Sequence, residues 1–274
     1  MSIIPFLSNS GGSNQLVNPD AFIEPVLIMG QSNIDHRNAQ ADLPIDVPIV
    51  SDRVRIFDGN GWRFFNCSGA MECSLQVITG FACDAVYLNR LASYLGRDVY
   101  TTKLSVGGTG FVPVFPSESA QYGDWNINST EYYDLWHRFI KRIKDAKHYT
   151  EQILGLEYRP KFLLCNIFET DSRNNTKEGL RTDFRAFVDA VRLLVQNPNL
   201  PIVHYEISLD QNQINQWTID LQNEFQNLDY ANGGIDNYHL LPYGTKILQD
   251  ASHWDSASSI YAGEQLLELT KDWF

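Results

Sequence analysis

The strongest constraint on the fold of this chain is the way its apolar runs end. Pro25-Val26-Leu27-Ile28-Met29 breaks into Gly30-Gln31-Ser32-Asn33, Val99 to Val106 closes on Gly107-Gly108-Thr109-Gly110, and Lys161 to Phe168 gives way to Glu169-Thr170-Asp171-Ser172. Short continuous apolar runs bounded by polar turns read as buried strands, and Ile202 to Ile207 reads as one more. Stretches with helical spacing lie between and after them, over 80–95 with Gly96 as C-cap, 132–153, 181–195, 213–225 and 256–269. Strands alternating with helices of this length predict parallel βαβ units with right-handed crossovers and helices on both faces. The expected fold class is therefore α/β, a three-layer α/β/α sandwich on a central parallel sheet, with the polar strand exits gathered along one carboxyl edge. Arg53 to Phe57 alternates and runs through Asp58-Gly59-Asn60-Gly61 to Trp62, which predicts a hairpin insertion.

No repeat, low-complexity block or linker divides the 274 residues. Residues 1–21, centred on Gly11-Gly12-Ser13-Asn14, read as a flexible lead-in, and 22–274 as a single domain. A formal net charge of -12 excludes nucleic acid and anionic membrane as expected partners, because both are bound through clustered Lys and Arg. The four cysteines, Cys67, Cys73, Cys83 and Cys165, fit neither a disulfide framework nor a paired CxxC zinc site, so reduced thiols are expected. Met1 to Leu7 lacks a basic n-region, and no segment has the length of a membrane span. The expectation is cytoplasmic synthesis, including as a component of a virion or surface assembly.

Ser32 sits where a strand ends abruptly in a polar turn, the position in which open α/β folds place a nucleophile. A serine needs a base, a group that orients the base, and donors for the oxyanion. Among the six histidines, His253 stands out. It lies in Asp250-Ala251-Ser252-His253-Trp254 ahead of the last helix, and Asp250, three residues upstream, is spaced to accept the imidazole Nδ1 proton while Nε2 faces the serine. A glycine-rich turn such as Gly107-Gly108 offers backbone N–H groups to a developing negative charge, and no Gly-Lys-Ser/Thr follows to make it a phosphate loop. Asn166 is either a further side-chain donor or a buried structural amide, and Glu169 either a second orienter of the histidine or a support for the loops. Asp35, His36 and Arg37 follow the nucleophile and are candidates to touch substrate. Gln31, beside Ser32, and Trp254, beside His253, are the named candidates for substrate binding, and Trp62, Trp125 and Tyr243 join Trp254 as candidate stacking surfaces for a sugar.

Taken in order, Gly30-Gln31-Ser32-Asn33, Gly107-Gly108-Thr109, Phe168-Glu169-Thr170-Asp171 and Asp250-X-X-His253 resemble the blocks of the SGNH hydrolases, and more narrowly those of the sialate O-acetylesterase and acetylxylan esterase branch (similar to carbohydrate esterase family 6). Arg53 to Phe57 with Trp62, Gly80-Phe81-Ala82 and Gly263 also match, and the likeness covers about 22 to 270. It implies the flavodoxin-like SGNH fold and a serine esterase that removes O-acetyl groups from a carbohydrate such as sialate, xylan or a bacterial polysaccharide. Ser32 would be nucleophile and, through its N–H, an oxyanion donor; Gly108 would be the second donor; Asp250 and His253 would complete the triad, without metal or organic cofactor. The branch has Gln-Gly-Glu-Ser where this chain has Ile167-Phe168-Glu169-Thr170. The Gln is thus absent from its usual position, and Asn166 can replace it only through a local shift or bulge. Two other readings compete: a non-catalytic carbohydrate-binding or structural module of a larger viral or surface assembly, and a lipase or thioesterase of the wider SGNH group. The sequence sets no oligomeric state.

Overall fold

A computed structural model describes residues 22–67, 80–112, 123–130, 134–211 and 214–274. The lead-in, Cys73, and the opening residues of the helices expected from 132 and from 213 fall wholly or partly outside these ranges. Seven strands form the main sheet: β2 (Pro25–Gly30), β3 (Val50–Phe57), β4 (Trp62–Asn66), β5 (Val99–Ser105), β7 (Phe162–Asn166), β8 (Ile202–Tyr205) and β9 (Tyr238–Leu241), in the order β4-β3-β5-β2-β7-β8-β9. The short β1 (Phe22–Ile23) and β6 (Glu157–Tyr158) pair separately. All neighbours in the main sheet run parallel except β4, which is antiparallel to β3.

The sheet is therefore mixed rather than purely parallel. The expected hairpin forms, with Phe57 opposite Trp62 across the Asp58–Gly61 turn, but it is no insertion: β3 pairs in parallel with β5 through Val54, Arg55 and Ile56 and so belongs to the sheet itself. β9 went unread in the sequence; its four residues are too short to show a period.

The alternation of side chains along each strand divides the core into two layers. Leu27 and Met29 of β2 join the cluster that holds Phe139 and Ile143 of α2 (Leu135–His148), Phe184 and Phe187 of α4 (Lys177–Val195), and Leu221 and Phe225 of α5 (Gln216–Asn227). Val26 and Ile28 join the opposite cluster with Val86 and Leu88 of α1 (Cys83–Leu95) and Ala262 and Leu266 of α6 (Ser256–Thr270). α1 ends at Gly96 in the left-handed region (φ +66°), the C-cap its sequence predicts. Gly263 lets α6 close on α1: a Cβ there would sit 2.7 Å from the Cys83 carbonyl oxygen. α2 continues through a π-helical turn, Tyr149–Ile153, and a four-residue helix, α3 (Asp171–Asn174), follows the β7 exit. Cys83 and Cys165 are buried free thiols, and Cys67 is buried as well. No helix among the described residues is long and apolar enough to cross a membrane.

After β2 the chain lays down β3 and the edge strand β4, fills β5 in beside β2, and then crosses to build the other side outward from β7 to β9. The carboxyl end of β2 is thus the topological switch point, where open α/β sheets form their crevice.

Candidate active site

β5, β2 and β7 deliver their exits side by side. Gly30 lies opposite Ser105 of β5 and Asn166 of β7. The ladder runs one step further, with Val106 N–H donating to the Gly30 carbonyl at 3.0 Å and Gln31 N–H to the Asn166 carbonyl at 2.9 Å. Position 30 has no room for a side chain: a Cβ would come within 2.5 Å of the Asn166 carbonyl oxygen and 2.7 Å of the Ile34 side chain. The chain turns at once into a 3-10 turn, Ser32–Ile34, that begins with the half-buried Ser32.

Buried charges grip this turn from the sheet side. The Lys103 ammonium, on β5, donates to the Ile34 carbonyl at 2.6 Å and to Asp84 Oδ2 of α1 at 2.7 Å, and His36 Nε2 accepts from it at 2.9 Å. Burial opposes ionisation of Asp84, but the Lys103 charge and His36 outweigh it and hold the carboxyl far below the usual range. Asp35 accepts from Ser105 Oγ at 2.7 Å and from Gly107 N–H at 3.3 Å, tying the serine turn to the glycine turn. Gly108 follows in the left-handed region (φ +74°), a conformation that suits glycine.

The histidine expected as base, His253, lies in the loop before α6. His253 Nδ1 lies 2.7 Å from Asp250 Oδ2, while Asp250 Oδ1 accepts from the Ser252 and His253 N–H groups at 2.8 and 2.9 Å. Because a carboxylate only accepts, Nδ1 carries a proton, which in the neutral imidazole leaves Nε2 with its lone pair. Partial burial works against ionisation of Asp250, but these three hydrogen bonds prevail and keep its carboxyl below the ordinary range. Gln249 N–H donates to the His253 carbonyl at 2.8 Å, and Asp255 caps α6 through Ser258 N–H at 2.7 Å, so the loop is fixed on both sides of the imidazole.

One side chain joins the Ser32 turn to the His253 loop. Asn33 Oδ1 accepts from Trp254 N–H at 2.9 Å, and its Nδ2 donates to the Ser252 carbonyl at 3.3 Å, so Asn33 grasps the residues on either side of His253. Ser32 Oγ and the imidazole share no hydrogen bond among the described residues, a contact that hydrolases often tighten only around substrate. Glu169 is buried, with one carboxylate oxygen accepting from Gln31 Nε2 and the other from Asn33 Nδ2 at 3.2 Å. Of the two roles open to it, the contacts are those of a support for the Ser32 turn; no hydrogen bond joins it to His253 among the described residues. Asn166 ends β7, 2 % exposed, with Oδ1 buried and unpartnered among the described residues.

Several expected substrate contacts are corrected. Gln31 is buried and spends both ends of its amide internally, on Glu169 and on Thr170 Oγ1 at 2.7 Å. Asp35 and His36 are buried beneath the turn. Trp125 lies in the core against Phe139 and Phe187, Trp62 packs on Phe57 and Tyr100 by the sheet edge, and Trp254 is 2 % exposed with its ring edge-on to Tyr205. Tyr243 is also buried. Lys103, Asp84 and the bridging role of Asn33 were not read from the sequence. A lysine inside the expected strand Val99 to Val106 is the one signal that pointed to the buried charges.

The strand order and the helices on both faces of the sheet define a three-layer α/β fold. The solved structures that share it include a protein from Arabidopsis thaliana (TM-score 0.64, 16% identity, covering 90% of this chain and 97% of that one) and NanS (TM-score 0.60, 12% identity, 94% and 100%). A carbohydrate acetylesterase from Xanthomonas citri is also similar (TM-score 0.54, 13% identity), with 90% of this chain matching 56% of that one. No family model matches the sequence, and no curated protein does.

Proposed function

We propose that the chain is a serine esterase that removes O-acetyl groups from a carbohydrate. The observation that carries this reading is the double grip of Asn33 on both neighbours of His253, which brings the base loop with its Asp250 partner to the turn that begins at Ser32. In this reading His253 Nε2 takes the Ser32 proton as Oγ attacks the acetyl carbonyl. The Ser32 and Gly108 N–H groups and the Asn166 carboxamide receive the oxyanion. His253 then protonates the departing sugar oxygen, and an activated water releases acetate from Ser32. Asp250 holds Nδ1–H throughout and stabilises the imidazolium.

The acetylated carbohydrate is supported by the fold shared with the Xanthomonas citri carbohydrate acetylesterase. Ser32→Ala is expected to abolish acetate release from p-nitrophenyl acetate and from acetylated xylan, sialate or bacterial polysaccharide, with an unchanged far-UV spectrum. Hydrolysis retained by the variant would sink the assignment. A folded wild-type protein that binds sugar and releases no acetate would favour a binding module, and rates rising steeply with acyl length would favour a lipase or thioesterase.

A further inference from the structure

Asn33 is adjacent to the nucleophile, and the esterase reading gives it no chemical step. Its carboxamide is nonetheless buried and fully engaged, through Oδ1 to Trp254 N–H and through Nδ2 to both the Ser252 carbonyl and Glu169 Oε1. The two backbone groups it holds flank His253. One short side chain, rooted one residue from Ser32, therefore governs the separation of the serine turn from the base loop.

The sense of that carboxamide is decisive. Turned by half a rotation, it would set an N–H donor against Trp254 N–H and an oxygen against both the Ser252 carbonyl and the Glu169 carboxylate, losing all three bonds. Glu169 offers acceptors only, so it selects the sense that grips the loop. Glu169 is itself aimed by a fixed frame. Gln31 Nε2 holds its other oxygen, Thr170 holds Gln31, and Phe168 in front of it has a left-handed backbone (φ +102°). The Ile167 carbonyl is anchored on His204 Nε2 at 3.1 Å.

We propose that Asn33 is a positioning residue that sets His253 against Ser32, with Glu169 fixing the orientation of its carboxamide. This rests on the esterase reading. The test uses the whole chain and a fluorophosphonate titrant that counts reactive Ser32, so that kcat is expressed per competent site. Asn33→Ala is expected to lower kcat about 100-fold with KM held within about threefold, because a misplacement of the order of 1 Å costs about that much in rate. Fluorophosphonate labelling of Ser32 should slow by a similar factor. Glu169→Gln, close to the wild type in size, should also lower kcat, and the double variant should fall no more than about threefold below Asn33→Ala, since residues acting through one another do not add.

A purely structural role would lower the melting temperature and the number of titrated sites while leaving kcat per site intact, and that result overturns the inference. So does Glu169→Gln with wild-type kcat, which decides the matter if Asn33→Ala does not fold. The two levels separate cleanly. Wild-type protein that neither hydrolyses p-nitrophenyl acetate nor labels at Ser32 removes the esterase reading. An active wild type and inactive Ser32→Ala, with Asn33→Ala at full kcat, removes only the role of Asn33.

Discussion

Replacing Lys103 by Met tests whether the buried charges beneath the serine turn are an integral part of the fold. Lys103 and Asp84 have side chains 1% and 0% exposed, and the ammonium donates to Asp84 and to the Ile34 carbonyl. Without it, Asp84 Oδ2 faces only His36 Nε2 at 3.4 Å, while Asp84 Oδ1 already lacks a partner among the described residues. Breaking a buried pair by removing one partner costs about 3–5 kcal/mol, because the surviving charge is left uncompensated. At roughly 2–4 °C per kcal/mol for a chain of this order of size, the melting temperature should fall by roughly 6–20 °C.

The pH dependence supplies the sharper signature. In the wild type the Asp84 carboxyl is held down, so its contribution is fully present above the unfolded carboxylate pKa and is lost only as the pH falls below it; stability from this group is flat between pH 5 and 8. In Lys103→Met the desolvated carboxyl titrates above its unfolded value, the folded state binds the extra proton, and the variant regains stability as the pH drops from 8 to 5. Adding Asp84→Asn should recover much of the loss at pH 8. Thermal unfolding followed by circular dichroism at the two pH values measures all of this. A single variant melting within about 2 °C of wild type, less than 1 kcal/mol on the same scale, or a double variant worse than the single one, refutes the reasoning.

Two further outcomes follow from other buried groups. Burial raises the Asp171 carboxyl to about 7, with the Phe111 N–H bond opposing it, so the folded state holds a proton that the unfolded state has lost, and stability falls as the pH climbs from about 4 to about 7. Asp171→Asn should therefore melt increasingly above wild type between pH 5 and pH 8 in parallel melting curves; a constant offset contradicts a raised carboxyl. Phe168→Gly relieves a left-handed phenylalanine, about 1–2 kcal/mol, but empties a site packed against His204 and Phe184, about 3–5 kcal/mol. A net loss of about 1–4 kcal/mol should appear in denaturant titration, and a gain would mean that the strain outweighs the packing.

The layered fold and the neighbourhoods of Ser32, Gly108 and the Asp250–His253 pair were legible in the sequence because each is written locally: an apolar run that ends at Gly30, a glycine pair after Val106, a carboxylate three residues before His253. What stayed hidden depends on pairings that no local window contains. Asn33 and Ser252 are 219 residues apart, and Lys103 meets Asp84 only because α1 packs on the sheet face from which Lys103 projects. The aromatic residues misled for a related reason. Trp125 stands in a polar stretch, yet its ring packs on α2 and α4, and burial of an isolated aromatic is set by helices elsewhere. Glu169 was left with two roles because its partners, Gln31 and Asn33, lie 138 and 136 residues upstream.

In the esterase reading, the grip of Asn33 on the His253 loop also sets when a newly made chain becomes competent. Its nucleophile turn emerges early in synthesis, the glycine turn and the β7 exit follow, and the histidine loop comes after all of them. Closure over more than two hundred residues carries the largest entropic cost of any joint in the site and is repaid only once β2, β5 and β7 are aligned. A nascent or truncated chain lacking 250–253 would own a serine turn without a base. Hydrolytic competence would then report on the docking of a distant segment rather than on the presence of Ser32, and the unfinished chain would be kept inert by topology alone.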